Sequence, residues 1–153
     1  MNTRQVKRTI RHRLQAGNPP LGALLLILGF GVLGFLMFEG AGKGAIQHFP
    51  EAHNIPKLDK ILHLLVHAFS TSLLFWGGVF ALSLPDETRR LEKIAVGALL
   101  LDGTAGLVIE WIQYEFGANA GRRFSTNDLI ANGIGSIIAI TISYVVVKRL
   151  TGT

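Results

Sequence analysis

Residues 61–84 read ILHLLVHAFSTSLLFWGGVFALSL, a run with no Asp, Glu, Lys or Arg and two histidines near its start. A helix rises about 1.5 Å per residue and the hydrocarbon core of a bilayer is about 30 Å thick, so roughly twenty apolar residues cross it. This run is long enough. Residues 21–38, 94–116 and 129–147 have the same character. Four such spans with their connections use nearly all of the 153 residues and leave no outside segment large enough for a core of its own. The expected fold class is an all-α membrane protein, with four transmembrane helices in a bundle forming a single domain over residues 1–153.

Composition agrees. The chain is 49% hydrophobic and 16% charged, whereas about a quarter of a soluble domain is charged. The absence of cysteine excludes disulfides, thiolate catalysis and thiolate metal sites. A net charge of +5 is no sign of nucleic-acid binding, because the basic residues divide by membrane side and form no interleaved basic–aromatic patch. The basic residues 1–13 ahead of an apolar stretch have the outline of a signal peptide. That stretch exceeds the usual apolar region of about 7–15 residues and no small-x-small cleavage site follows, so it is read as a retained first span.

Lys and Arg in short connections mark the cytoplasmic side. Arg4, Lys7, Arg8, Arg11 and Arg13 precede the first span, Arg89, Arg90 and Lys93 lie between the second and third, and Lys148 and Arg149 follow the fourth; these are ten of the fifteen basic residues. Both termini are therefore expected in the cytoplasm, with residues 39–60 and 117–126 facing outward, in a multi-pass protein of the cytoplasmic (inner) membrane. Arg122 and Arg123 run against that bias. A charge pair in a loop is ordinarily just solvated, but these adjoin the membrane end that carries carboxylates and histidines, and Arg favours bidentate pairing with phosphate or carboxylate.

Along the chain, Pro19–Pro20 suits a helix start, where a missing N–H costs nothing. Gly22, Gly29, Gly31 and Gly34 make the first span smooth, either for close helix contact or as ordinary membrane composition. His48 and His53 read as plain loop residues. Asp59 offsets the positive end of the second helix and Lys60 reaches for the interface. His63 and His67, four apart, share one helix face inside the apolar zone. Interhelical hydrogen bonding, acid–base chemistry and a metal pair all fit them; HxxxH without the Glu of a zincin is a weak metal signal, and no metal is assigned.

Asp102 lies near the middle of the third span, where a carboxylate costs on the order of 2.5–3.5 kcal/mol unless it is paired or protonated. It is expected to hydrogen-bond another span. Asp102, Gly106 and Glu110 advance by fours along one stripe, with Gln113 beyond; Trp111 and Tyr114 suit an aromatic belt. Ser125, Thr126 or Asn127 can cap the fourth helix, with Asp128 in its first turn. Asn132 follows by four, and Gly133, Gly135 and Ser136 form a face that another helix can approach.

Taken together, Asp59-Lys60-x-x-His63, Glu110-x-x-Gln113, and Arg122 or Arg123 followed by Asp128-x-x-x-Asn132-x-x-Gly135 resemble the VanZ-like family of small bacterial membrane proteins. The likeness covers three of the four spans in order; Asp102 and the long first connection are not part of it. It implies a four-helix integral membrane protein in a cell-envelope context. The family's founding member is linked to low-level resistance to the glycopeptide antibiotic teicoplanin.

Two functional classes compete. In an intramembrane enzyme acting on a membrane lipid or lipid-linked glycan, Asp59, His63, Glu110 and Asp128 are the candidate catalytic groups, one acting as general base and another as general acid. Lys60, Gln113, Arg122, Arg123 and Asn132 would hold the substrate. In a non-enzymatic binding or accessory protein the same cluster would recognise a headgroup, a glycopeptide or a partner helix. Transport is a weaker third reading, since four helices leave little room for two gates unless the protein forms a homo-oligomer. Interhelical polar contacts average only about 0.6 kcal/mol each, so stability alone is a poor reason to gather so many at one level.

Overall fold

A computed structural model of the chain describes residues 3–41, 58–82, 88–116 and 124–151. Nearly all of them lie in five helices: α1 (Thr3–Ala16), α2 (Pro19–Ala41), α3 (Leu58–Ala81), α4 (Thr88–Phe116) and α5 (Thr126–Thr151). Four contain segments long and apolar enough to cross a membrane: Pro19–Leu36, Lys60–Ala81, Arg89–Phe116 and Thr126–Thr151. The chain thus has the makings of a multi-pass membrane protein. Large apolar side chains such as Leu24, Ile27, Phe30, Leu100, Ile137 and Ile142 are exposed along these helices, as lipid-facing positions should be.

The helices outrun the apolar windows. Arg89, Arg90 and Lys93, expected in a connection, lie in the first turns of α4, and Lys148 and Arg149 lie in the last turn of α5. Hydropathy stops at a charge, but backbone hydrogen bonding does not, and Leu, Arg, Lys and Glu are all good helix formers. The larger departure is α1, which the charge pattern presented only as a basic tail. It is a helix that buries Leu14, with Ile10 packed beside it, against the apolar core, and it lies along α5.

Residues 17 and 18 join α1 to α2. Gly17 adopts a φ of 70° and its N–H donates to Arg13 O at 3.1 Å, a left-handed helix end that suits glycine. The side chain of Asn18 then caps α2 by accepting from Leu21 N at 3.2 Å. Its backbone N–H donates to Phe80 O at 2.9 Å. That bond sets the start of α2 against the end of α3, so the two helices run antiparallel.

Small residues seat α2 on α3. A Cβ on Gly22 would lie 2.4 Å from Ala81 N, and one on Gly77 would lie 2.8 Å from Leu26 Cγ. Gly29 meets Leu74, whereas Gly31 and Gly34 face open space. Close backbone approach explains part of the glycine content of α2 and membrane composition the rest. On its other side α3 meets α5 at Gly135, where a Cβ would stand only 2.2 Å from Leu64 O. Phe75, Val79, Ile94, Ala98, Ile140 and Val147 build an apolar core toward the end where α3 finishes. Polar side chains take over toward the other end.

Candidate functional site

Helical spacing builds the polar region. On α3, Lys60, His63, His67 and Ser70 advance by three, four and three residues, and on α5 Asp128, Asn132 and Ser136 advance by four. Each set therefore lies on one face. Asp102, Gly106 and Glu110 do the same on α4. The three faces meet, and the side chains pair level by level over about 15 Å of helix rise.

At the level nearest the starts of α3 and α5, Lys60 Nζ forms an ion pair with Asp128 Oδ1. Ser125 caps α5, its Oγ accepting from Asp128 N at 3.3 Å, while its own N–H donates to Glu110 Oε2 at 3.0 Å. One residue thereby ties the end of α4 to the start of α5. One turn deeper, His63 Nδ1 lies 2.9 Å from Asn132 Oδ1. An amide oxygen only accepts, so Nδ1 is the donor in this bond and Nε2 is left outside it. That Nε2 faces Asp128 Oδ2 at 4.0 Å.

The third level is buried completely. Asp102 accepts from His67 Nδ1 at 2.8 Å and from the hydroxyls of Ser70 and Ser136 at 2.5 Å each. Three donors from two neighbouring helices satisfy a carboxylate that would otherwise be untenable at this depth. Gly106 makes room between the levels: a Cβ there would lie 3.3 Å from both Asn132 Nδ2 and His67 Cε1.

His63, Glu110 and Asp128, one from each helix, bring one ligand atom apiece to within 4.8 Å of one another. Lys60 and Asn132 border this cluster through their bonds to Asp128 and His63. Five of the expected site residues therefore come together. Gln113 is buried one turn beyond Glu110, at the same end of α4. Asp59 lies in the first turn of α3, but its side chain falls outside the described residues, as do Arg122, Arg123, His48 and His53.

His63 and His67 share a face as expected, yet they join different levels, each through its own Nδ1. Among the described residues, the grouping of three with metal-holding geometry is His63, Glu110 and Asp128, and His67 is not part of it. Asp102 is the expected interhelical hydrogen-bonder. The sequence reading missed its partners Ser70 and Ser136, although Ser70 follows His67 by three and Ser136 follows Asn132 by four. Trp111 and Tyr114 are exposed, which suits anchors.

No family model, no curated protein and no solved structure matches the chain.

Proposed function

We propose that this chain is a VanZ-like protein of the bacterial cytoplasmic membrane, a four-helix bundle with both termini in the cytoplasm, whose His63–Glu110–Asp128 cluster opens toward the outer leaflet. The cluster binds the headgroup of an envelope lipid or lipid-linked glycan and acts on it. One observation carries this reading: ionisable groups from three separate helices converge within 4.8 Å. Charged side chains inside membrane helices are rare and mark substrate or ion pathways, and a stability role is already filled by Asp102, whose carboxylate accepts three hydrogen bonds.

The roles follow from position. Lys60 is the cationic group at the mouth of the cluster and suits an anionic headgroup. His63, Glu110 and Asp128 form the reacting centre, and Asn132 fixes the tautomer of His63. Arg122 and Arg123 belong to the connection between α4 and α5 and add positive charge at that end. A link to glycopeptide resistance follows from the family resemblance alone.

The test is direct. Purified protein in nanodiscs is supplied with bacterial envelope lipids that include lipid-linked glycans, and bound lipid and products are read by mass spectrometry. Wild-type protein should retain or convert a lipid class at least tenfold better than His63→Gln or Glu110→Gln. Equal retention and equal conversion in all three would remove the reading. Retention with no product would assign the cluster to the binding or accessory role.

A further inference from the structure

We infer that the cluster is a divalent metal site, with His63 Nε2, Glu110 and Asp128 as its three protein ligands and a fourth position open to the headgroup. The inference rests on the reading of this cluster as the working site and names the cofactor that site would use. Its first support is geometric. Metal–nitrogen and metal–oxygen bonds of about 2.0–2.2 Å set neighbouring ligand atoms roughly 3.4 Å apart in a tetrahedral site. His63 Nε2 and Asp128 Oδ2 stand 4.0 Å apart, and the full set lies within 4.8 Å. Small side-chain rotations close that difference.

The second support is electrostatic and independent of the distances. Asn132 Oδ1 accepts from Nδ1, so Nε2 is the ring nitrogen turned toward a carboxylate oxygen of Asp128. Glu110 and Asp128 each bring a carboxylate oxygen to the same small region, and two such oxygens repel. A cation between them relieves this. Lys60 pairs with Oδ1 of Asp128, on the other oxygen from the one that faces His63.

The third support is the outer shell. Metal-bound histidines donate their other ring N–H to an oxygen acceptor, and bound carboxylates are themselves hydrogen-bonded. Asn132 provides the acceptor for His63, Ser125 N–H bonds Glu110 and Lys60 holds Asp128. Three protein ligands with one open position is the pattern of catalytic rather than structural zinc sites. An imidazole among the ligands favours zinc over magnesium. Bound there, the ion would polarise a phosphoryl or carbonyl oxygen of the headgroup.

Equilibrium dialysis tests this with Zn2+ alone, on full-length protein stripped with EDTA in detergent, the metal being counted by mass spectrometry. One ion per chain is expected, with affinity reduced at least tenfold in His63→Gln, Glu110→Gln and Asp128→Asn. Asn132→Ala should weaken binding by about tenfold through the loss of the outer-shell acceptor, and His67→Gln should leave it unchanged. Helical circular dichroism identifies any variant that has lost its fold, and the remaining variants decide. Absence of stoichiometric zinc in the wild type overturns the inference, as does undiminished binding in His63→Gln and Glu110→Gln. Loss of binding in His67→Gln alone also overturns it. Lipid retention measured in EDTA separates the two claims: a lipid difference without zinc binding leaves the headgroup reading standing, and zinc binding without a lipid difference leaves only the metal site.

Discussion

Gly135→Ala tests whether the contact between α3 and α5 positions the site. The added Cβ would stand 2.2 Å from Leu64 O, 3.0 Å from Leu64 C and 3.2 Å from Ala68 N, all backbone atoms that no side-chain rotation can move aside. Ordinary contact at about 3.5 Å then requires α5 to withdraw by roughly 1 Å. The bond of 2.9 Å between His63 and Asn132, which links the same two helices, would stretch past the limit of a hydrogen bond. Overpacking of this kind costs about 1–3 kcal/mol, and the lost interhelical bond adds about 0.6 kcal/mol. Alanine returns up to about 1 kcal/mol of helix propensity. A net loss of about 1–3 kcal/mol remains. Gly133 provides the control on the same helix, because a Cβ there meets nothing within 4 Å; Gly133→Ala should be neutral or stabilising. Reversible unfolding in mixed detergent–SDS micelles measures both. Stabilities that agree within about 0.5 kcal/mol, the usual limit for independent sites, would refute close α3–α5 packing.

Other perturbations address other parts of the structure. Asp102→Asn places amide hydrogens among three donors and should destabilise the protein by about 1–3 kcal/mol in the same unfolding assay, while Ser70→Ala or Ser136→Ala should cost less than about 1 kcal/mol each. Gly22→Leu should separate α2 from α3 and lower stability clearly, whereas Gly31→Leu, in open space, should leave the unfolding midpoint unchanged. Leu14→Asp should free α1 from the core and speed proteolytic cleavage near residues 12–17, with cleavage elsewhere unaltered.

The four long helices were legible because a bilayer demands a fixed number of apolar residues, and residues 61–84 meet that demand without help from tertiary contacts. The site residues were legible for a related reason: His63, Glu110, Asp128 and Asn132 are polar where polarity is costly. Helix ends were less so, since hydropathy has no view of backbone hydrogen bonds, and Arg89 and Lys148 continue helices that the apolar windows had ended. The amphipathic α1 was masked by its charges, its buried Leu14 being one residue among many basic ones. Ser70 escaped notice and Ser136 was read only as part of a small-residue face, because a lone serine is common in membrane helices. Only the rotational setting of α3, α4 and α5 shows that both hydroxyls face Asp102.

That setting also divides the molecule mechanically. Side-chain hydrogen bonds link α3, α4 and α5 at several levels, and the backbone bond of Asn18 sets the start of α2 against the end of α3. Sliding or tilting within the bonded trio would break several levels together. Detaching α2 from its glycine-lined seat forfeits mainly dispersion contacts, for which lipid tails are a ready substitute.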